Sequence, residues 1–324
     1  MAMLRHVEVT HFQCLRRTSV PLRPLTVLVG PNDTGKSTFL RALRCLDPTS
    51  TSGWSVGAPA LHQLAAFAPK SGTERPHVHA AKEGGGSIVR GRGDFGGQVE
   101  GARLLLLPSS GPEMRCRGVA GTIPELGEPK GLDVPNVVDY FLRKDRARFD
   151  RFVATVVEQL PGATDVGVET PSPDSRQLQL KTEGHWIPAD EASAGVRLLL
   201  FFITLAHHPE PPELLLLEEP ENGLHPRRLA YVMGLLRKLT TGALGARPVQ
   251  VVLSTHSPLL LNEVDLATDQ VLVFRREPDG ARTAEPVDAE RLKLFLDEFG
   301  LGEVWFNQSE EGLVARKDAE AARA

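Results

Sequence analysis

Eight residues near the amino-terminal end of the sequence have the types and spacing that bind phosphate. Residues 30–37 read GPNDTGKS and fit the pattern G-x-x-x-x-G-K-[ST]. Glycines let backbone N–H groups curl around a phosphate, Lys36 can reach the β- and γ-phosphates, and Ser37 can offer a hydroxyl to Mg²⁺. The flanks favour the motif over a chance match, because residues 25–29 predict a buried strand and apolar residues recur at helical spacing over residues 39–46.

A pair of carboxylates at the end of an apolar run is the second chemical signal. Residues 214–217 are four leucines, and Glu218 and Glu219 follow them directly. In open α/β sheets, ligands bind at the carboxyl ends of the strands, so a buried strand would deliver both acids there. Glu218 suits Mg²⁺, and Glu219 suits the activation of an attacking water. The alternative is a strand followed by a solvated acidic turn.

Two further segments carry weaker signals. His256 follows the apolar run 249–253 and would lie at the carboxyl end of that strand, where it can contact a γ-phosphate; the alternative is a structural histidine. Ser193 and Gly195 precede the apolar helix predicted at 198–206. They suit an N-cap with a close backbone approach that binds an anion, or simply an ordinary helix cap.

Composition bounds the class of protein. The 324 residues are 41% apolar and 24% charged, which predicts folded structure of one large or two ordinary domains. The net charge of −4 gives no overall basic excess for nucleic acid. Cys14, Cys45 and Cys116 lie far apart and form no C-x-x-C pair, which favours reduced thiols. The longest apolar run, residues 196–206, is too short to cross a bilayer, so we expect a cytoplasmic protein with no membrane partner.

Patterns along the rest of the chain predict short strands and helices. Two strands precede residue 25, with a turn at Arg16–Arg17, and residues 77–119 read as a small antiparallel sheet of hairpins. The other predicted elements are a helix at 61–67, helical stripes over 137–160, a hairpin over 166–180, a closing hairpin over 269–286 and a short helix at 292–299.

Together these segments resemble the ABC-type ATPase heads of the RecF, SMC and OLD-like group. The resemblance rests on HFQCLRRTSVPLRPLTVLVGPNDTGKST, EASAGVR, LLLLEEPENGLHP and STHSP, and the run EPENGLHP is particularly similar to OLD-like ATPases. It implies an α/β fold, a P-loop NTPase of the ABC-ATPase type with a mixed sheet core. A single domain would span residues 1–324, with a β-hairpin region and a helical lobe inserted at residues 48–190.

The resemblance also implies cofactors and roles, with ATP and Mg²⁺ as the ligands. Nucleotide contacts are expected from Gly30, Asn32, Gly35, Lys36, Ser37 and Thr38. Ser37 and Glu218 would bind the metal, with Glu218 standing where the Walker B motif usually has Asp. Glu219 would be the catalytic base, assisted by Lys36 and the switch histidine His256. Ser193 and Gly195 would contact the γ-phosphate held by a partner subunit, residues 222–225 would form the D-loop, and Gln98 is favoured over Gln63 for the Q-loop.

The expected function is an ATP-binding and ATP-hydrolysing switch. Two copies, or a larger homo-oligomer, would sandwich ATP and control a separately encoded effector such as a nuclease, in DNA processing or anti-phage defence. One alternative is a RecF-like DNA repair clamp that binds DNA itself, and another is a nucleotide-dependent scaffold that does not hydrolyse ATP. No nuclease is expected in this chain, because the roughly 70 residues after His256 contain no Asp-x-Asp pair and are too few for a Toprim domain.

Overall fold

The computed structural model divides the chain into two compact units. The first comprises Met1–Leu104, Glu213–Pro220 and Gln250–Ala324, and the second comprises Leu105–Pro212 and Glu221–Val249. A single domain with an insertion at 48–190 stays a prediction. The residues that the structure describes are 3–44, 46, 77–82, 87–91, 94–96, 102–106, 112–118, 133–244, 247–296 and 298–314.

The elements are numbered along the chain. The strands are β1 (Leu4–Phe12), β2 (Leu15–Pro21), β3 (Leu25–Val29), β4 (His77–Lys82), β5 (Ser87–Gly91), β6 (Asp94–Gly96), β7 (Ala102–Leu106), β8 (Arg115–Arg117), β9 (Ala163–Glu169), β10 (Ser175–Thr182), β11 (His185–Pro188), β12 (Leu214–Glu218), β13 (Gln250–Thr255), β14 (Gln270–Arg276) and β15 (Arg282–Pro286). The helices are α1 (Lys36–Arg44), α2 (Val134–Lys144), α3 (Arg146–Gln159), α4 (Ala194–His207), α5 (Pro226–Thr241), α6 (Pro258–Asn262), α7 (Ala289–Leu296) and α8 (Leu301–Leu313).

A six-stranded mixed sheet forms the centre of the first unit, in the order β15-β14-β3-β13-β12-β7. Strands β14, β3, β13 and β12 pair parallel with one another in that order, and β15 is antiparallel to β14. Every residue of β3 and β13 is buried, which explains why these strands read as continuous apolar runs. The structure thus has the α/β fold with a mixed sheet that the sequence predicted.

A second sheet of the first unit is antiparallel, in the order β2-β1-β4-β5-β6. Helix α1 contributes Phe39 and Leu43 to one apolar core that also contains Val9 of β1 and Val252 of β13. The buried carboxamide of Gln250 bonds to both backbone groups of Leu4, at 2.8 and 2.7 Å, and so joins β1 to the start of β13. These contacts fix the helix that follows the glycine-rich loop.

The second unit combines helices with a small antiparallel sheet. Strand β10 pairs with β8, β9 and β11, and the pairing of β9 with β10 is the hairpin predicted over 166–180. Helix α4 begins at its N-cap Ser193, whose hydroxyl accepts a bond from the Val196 N–H, and it is almost wholly buried. Helix α5 begins after His225 and ends at Gly242, whose left-handed φ of 70° is typical of a helix C-terminus.

Several elements differ from the sequence-based predictions. The turn between β1 and β2 lies at residues 13–14, because β2 already begins at Leu15 and includes Arg16 and Arg17. The helical stripes over 137–160 are two helices, since Asp145 leaves helical geometry and caps α3 through the Arg148 N–H. Strand β7 lies in the six-stranded sheet, and β8 pairs with β10, so residues 77–119 do not form one sheet. Helices α5, α6 and α8 were not predicted, and the predicted helix at 61–67 lies outside the described residues.

Within the described ranges, the structure has no helix that is both long enough and apolar enough to span a membrane.

Gly195 lies where a side chain would collide with backbone. A Cβ atom there would lie 2.4 Å from the Gly223 carbonyl oxygen, whereas a Cβ on Gly234, inside α5, would meet no atom within 4 Å. We therefore expect Gly195→Ala to destabilise the protein by about 1–3 kcal/mol through overpacking. The matched control Gly234→Ala should stabilise it by about 0.5–1 kcal/mol, because alanine favours helix. Thermal unfolding followed by circular dichroism measures the stability of both variants. Equal effects of the two variants would contradict the close contact between residue 195 and the Gly223 carbonyl oxygen.

Candidate nucleotide site

The glycine-rich loop between β3 and α1 has a backbone path that only glycine permits at two positions. Gly30 has φ 143°, and a Cβ there would lie 2.1 Å from the Phe274 carbonyl oxygen. Gly35 has φ 102° and lies against the Leu15 side chain. The Gly35 carbonyl then accepts the Phe39 N–H at 2.9 Å, which starts the hydrogen-bond ladder of α1. The loop is therefore shaped by its neighbours in β14 and β2.

Lys36 directs its ammonium back along this loop. Its Nζ donates to the carbonyl oxygens of Gly30 and Pro31, both at 2.7 Å, and only 5% of the residue is exposed. Asn32 and Asp33 are exposed at the tip of the loop. These two carbonyl oxygens hold the Lys36 ammonium at the loop, where its positive charge can act together with backbone N–H groups on a phosphate.

Ser37 and Glu218 bring a hydroxyl and a carboxylate together. The Ser37 hydroxyl, in the first turn of α1, donates a hydrogen bond to the Glu218 carboxylate at the end of β12. Such oxygen ligands suit Mg²⁺, which takes one or two protein ligands and completes its shell with water and phosphate. The described residues contain no group of three or more His, Cys, Asp or Glu that would hold a metal without a phosphate.

Ser254 adds a buried polar atom beside this pair. It is in register with Glu218 on the neighbouring parallel strand, so the two side chains leave the same face of the sheet. Only 1% of Ser254 is exposed, and its hydroxyl has no hydrogen-bond partner among the described residues. A buried hydroxyl without a partner is costly, and a hydrated metal beside Glu218 would satisfy it. The donor set therefore fits Mg²⁺. Sequence reasoning gave Ser254 no role, although it is the first residue of the segment STHSP.

Glu219 is turned out of the strand by a left-handed backbone. Its φ is 46°, and its N–H donates to the Ser254 carbonyl oxygen at 3.1 Å. Successive residues of a regular strand point to opposite faces, so this turn is what frees Glu219 from the alternation. Its carboxylate oxygen Oε1 lies 3.1 Å from Nε2 of His256.

The environment of His256 keeps its imidazole neutral. Burial lowers the pKa of His256 below 6.5, and the nearby charge of Lys36 lowers it further. The carboxylates of Glu219 and Glu218 and a hydrogen bond with the Gly30 backbone act in the opposite direction. A neutral imidazole next to a carboxylate and the phosphate loop can donate one hydrogen bond and accept another.

Thr38 connects the loop helix to the turn between β1 and β2. Its hydroxyl donates to the Gln13 side-chain oxygen at 3.3 Å and accepts from the Cys14 thiol at 3.4 Å. Gln13 has φ 52°, a strained value of the kind that clusters at functional sites. Sequence reasoning missed Gln13, because the turn was expected at Arg16–Arg17.

Ser193 and Gly195 belong to the second unit. Ser193 is exposed at the start of α4, and Gly195 is buried against the Gly223 carbonyl oxygen. Of the segment 222–225, Asn222 and Gly223 are exposed, and the His225 ring nitrogen Nδ1 caps α5 by accepting the Arg227 N–H.

The first unit brings together five of the predicted site residues, namely Lys36, Ser37, Glu218, Glu219 and His256. Gln63 and Gln98 lie outside the described residues.

The opposing charges around His256 give a test of this geometry. Replacing Lys36 by Met should raise the pKa of His256, because a repelling cation is removed. Replacing Glu219 by Gln should lower it further, because a stabilising anion is lost. Imidazole proton shifts followed by NMR from pH 4 to pH 9 measure both changes, and shifts in the same direction for the two variants would show that this arrangement is wrong.

Comparisons with known proteins agree with these features. A family model described as "AAA domain, putative AbiEii toxin, Type IV TA system" matches residues 132–262, and a model described as an AAA ATPase domain matches residues 3–55. A stretch of 41 residues is 51% identical to the OLD nuclease of Thermus scotoductus (strain ATCC 700910 / SA-01). That stretch is 13% of this chain and only 8% of the nuclease.

Solved structures of SMC head domains have a similar fold. An SMC head bound to the C-terminal winged-helix domain of ScpA is 13% identical, with a TM-score of 0.60 over 90% of this chain and 99% of that chain. The Pyrococcus furiosus SMC head with an extended coiled coil, bound to the C-terminal domain of ScpA, is 12% identical, with a TM-score of 0.53 over 92% and 99% of the two chains. At these identities the likeness concerns the fold alone. This chain is thus similar in sequence to AAA ATPase domains and to a short segment of an OLD nuclease, and similar in fold to SMC heads.

Proposed function

We propose that this chain is a nucleotide-dependent switch that binds and hydrolyses ATP and associates head-to-head around it. The proposal rests chiefly on the meeting of a buried lysine, a hydroxyl, two carboxylates and a neutral histidine at one edge of the first unit's sheet. These groups are Lys36, Ser37, Glu218, Glu219 and His256. Phosphoryl transfer needs a phosphate cradle, a metal ligand and a group that orients the attacking water, and this set supplies one candidate for each.

Each residue has a role that follows from its chemistry. Lys36 and the loop N–H groups would bind the β- and γ-phosphates. Ser37 and Glu218 would hold Mg²⁺, which would supply neutralisation of the phosphate charge. Glu219 orients the attacking water and takes its proton. His256, neutral at pH 7, has one ring N–H, which can hold the Glu219 carboxylate in place or be donated to the γ-phosphate.

Association would complete the site. Ser193 is exposed at the N-terminus of α4, where unpaired N–H groups favour an anion. In the proposed dimer, Ser193 and Gly195 of one copy contact the γ-phosphate bound by the other. ATP then stabilises the closed dimer by mass action, and hydrolysis releases it.

The proposed output is control of a separately encoded effector. The similar SMC heads were solved with ScpA bound, so a head of this fold can carry a second protein. The segment shared with an OLD nuclease and the match to a toxin family favour an effector such as a nuclease, in DNA processing or anti-phage defence.

Glu219→Gln separates binding from turnover. The variant should still bind ATP, lose about 100-fold or more of its hydrolysis rate because the general base is gone, and accumulate as the ATP-bound dimer. Phosphate release gives the rate, and light scattering with and without ATP gives the mass. Glu213→Gln is the matched control, since it makes the same change just before the amino end of the same strand and should keep the wild-type rate.

Three results would contradict parts of the proposal. Normal ATP hydrolysis by a Lys36→Ala variant would show that Lys36 does not belong to the phosphate-binding site. Slow hydrolysis that Glu219→Gln does not change would favour a nucleotide-dependent scaffold. Strongly salt-dependent binding of duplex DNA by the purified protein would favour a clamp that acts on DNA itself.

The effector is found by tagging the Glu219→Gln protein in its source cells. A second protein that copurifies only when ATP and Mg²⁺ are present would identify the partner. Copurification that is the same without nucleotide would contradict control by the ATP-bound state.

A further inference from the structure

One arginine of the closing hairpin contacts the exposed tip of the phosphate loop. The Arg282 side chain donates from Nη2 to the Asp33 carboxylate at 2.9 Å and from Nε to the Asp33 carbonyl oxygen at 3.2 Å. Its Nη1 donates to the Gly280 carbonyl oxygen at 3.0 Å, which holds the guanidinium against the hairpin turn. Only 18% of the Arg282 side chain is exposed, although Asp33 itself is 71% exposed.

Asp33 is the residue of the loop that most needs such support. Its φ is 62°, a left-handed value that costs a non-glycine residue energy unless the surroundings hold it. Asp33 is also exposed, so core packing does not fix it. Two of the three bonds of Arg282 join the hairpin to the loop, and the third holds Arg282 within the hairpin, which is itself fixed by the pairing of β14 with β15.

The orientation of one peptide bond links this contact to phosphate binding. A trans peptide points its C=O and its N–H in opposite directions. Because the Asp33 carbonyl oxygen faces Arg282, the Thr34 N–H points away from Arg282. The same guanidinium therefore sets the direction of a loop N–H and the path of the backbone before any ligand binds.

We propose that Arg282 is a positioning residue that preorganises the phosphate loop for nucleotide, without contacting the nucleotide itself. This inference rests on the proposed binding of ATP by residues 30–37. A loop that is already ordered loses less conformational entropy when the nucleotide binds. Loss of Arg282 should therefore weaken the affinity for ATP more than it slows the chemical step.

Arg276 provides a matched control on the same hairpin. Its Nη1 lies 3.9 Å from the same Asp33 carboxylate oxygen, but its side chain is 61% exposed. Arg276 is joined to the loop by this long ion pair, and an exposed ion pair contributes little. Arg276→Gln removes the same charge as Arg282→Gln, so a difference between the two variants reports the bonds specific to Arg282.

The test measures the Kd of a fluorescent ATP analogue, and KM and kcat for ATP, for both variants. Arg282→Gln should raise Kd and KM about tenfold and change kcat by less than about threefold, the pattern of lost binding energy. Arg276→Gln should change each constant by less than about twofold. Circular dichroism checks that both variants keep the wild-type fold.

Asp33→Gly is the decisive background. Glycine adopts φ 62° without strain and carries no carboxylate, so only the longer bond from Arg282 Nε to the backbone carbonyl oxygen of residue 33 would remain. In that background, Arg282→Gln should raise Kd by less than about threefold, a non-additive result. An equal tenfold loss in both backgrounds, or wild-type affinity in Arg282→Gln, would overturn the positioning role while leaving the proposed switch intact. A wild-type protein that does not bind ATP would overturn both.

Discussion

Parallel pairing of three strands is the constraint on which the candidate site depends. β12, β13 and β3 run side by side, so that Glu218 is level with Ser254, and Thr255 is level with Val29. The acids that follow β12, the histidine that follows β13 and the loop that follows β3 therefore leave the sheet at the same edge. A shift of one residue in either pairing would turn the Glu218 side chain to the other face.

The loop at this edge is held from outside as much as from within. Gly30 is pressed against the backbone of Phe274, Gly35 against Leu15, and Asp33 against Arg282. Three of its residues, Gly30, Asp33 and Gly35, have a positive φ. The P-loop sequence permits such a path, but β2, β14 and β15 select it from the many paths open to a glycine-containing segment.

Sequence reasoning was strongest where chemistry and structure are encoded by neighbouring residues. The phosphate loop, the strand that ends at Glu218 and the N-cap Ser193 each lie within a few residues of the pattern that predicts them, and the structure has a strand or helix at each. The roles of these side chains stay predictions until a nucleotide is measured. The turn at residues 13–14 was missed because the two consecutive arginines, Arg16 and Arg17, look like an exposed turn, whereas they belong to β2.

Long-range pairings could not be predicted from local patterns. Strand β7 was expected in a sheet of hairpins because its neighbours in sequence read that way, but it lies in the six-stranded sheet. The bonds from Arg282 to Asp33 join residues 249 positions apart, and no local pattern marks either partner. Such contacts become visible only when the strand order is known.

The position of β3 between two late strands has a consequence for synthesis on the ribosome. β3 is complete at Val29, but its neighbours β13 and β14 end at Thr255 and Arg276. At about 5–20 residues per second, the 226 residues from the end of β3 to the end of β13 (255 − 29) take roughly 10 to 45 s to make. Throughout that time the apolar segment LTVLV has neither strand neighbour, which is the state in which nascent chains aggregate or recruit chaperones. Ribosome stalling or a premature stop before residue 250 would thus leave a chain that contains the complete phosphate-loop motif without the sheet that shapes it.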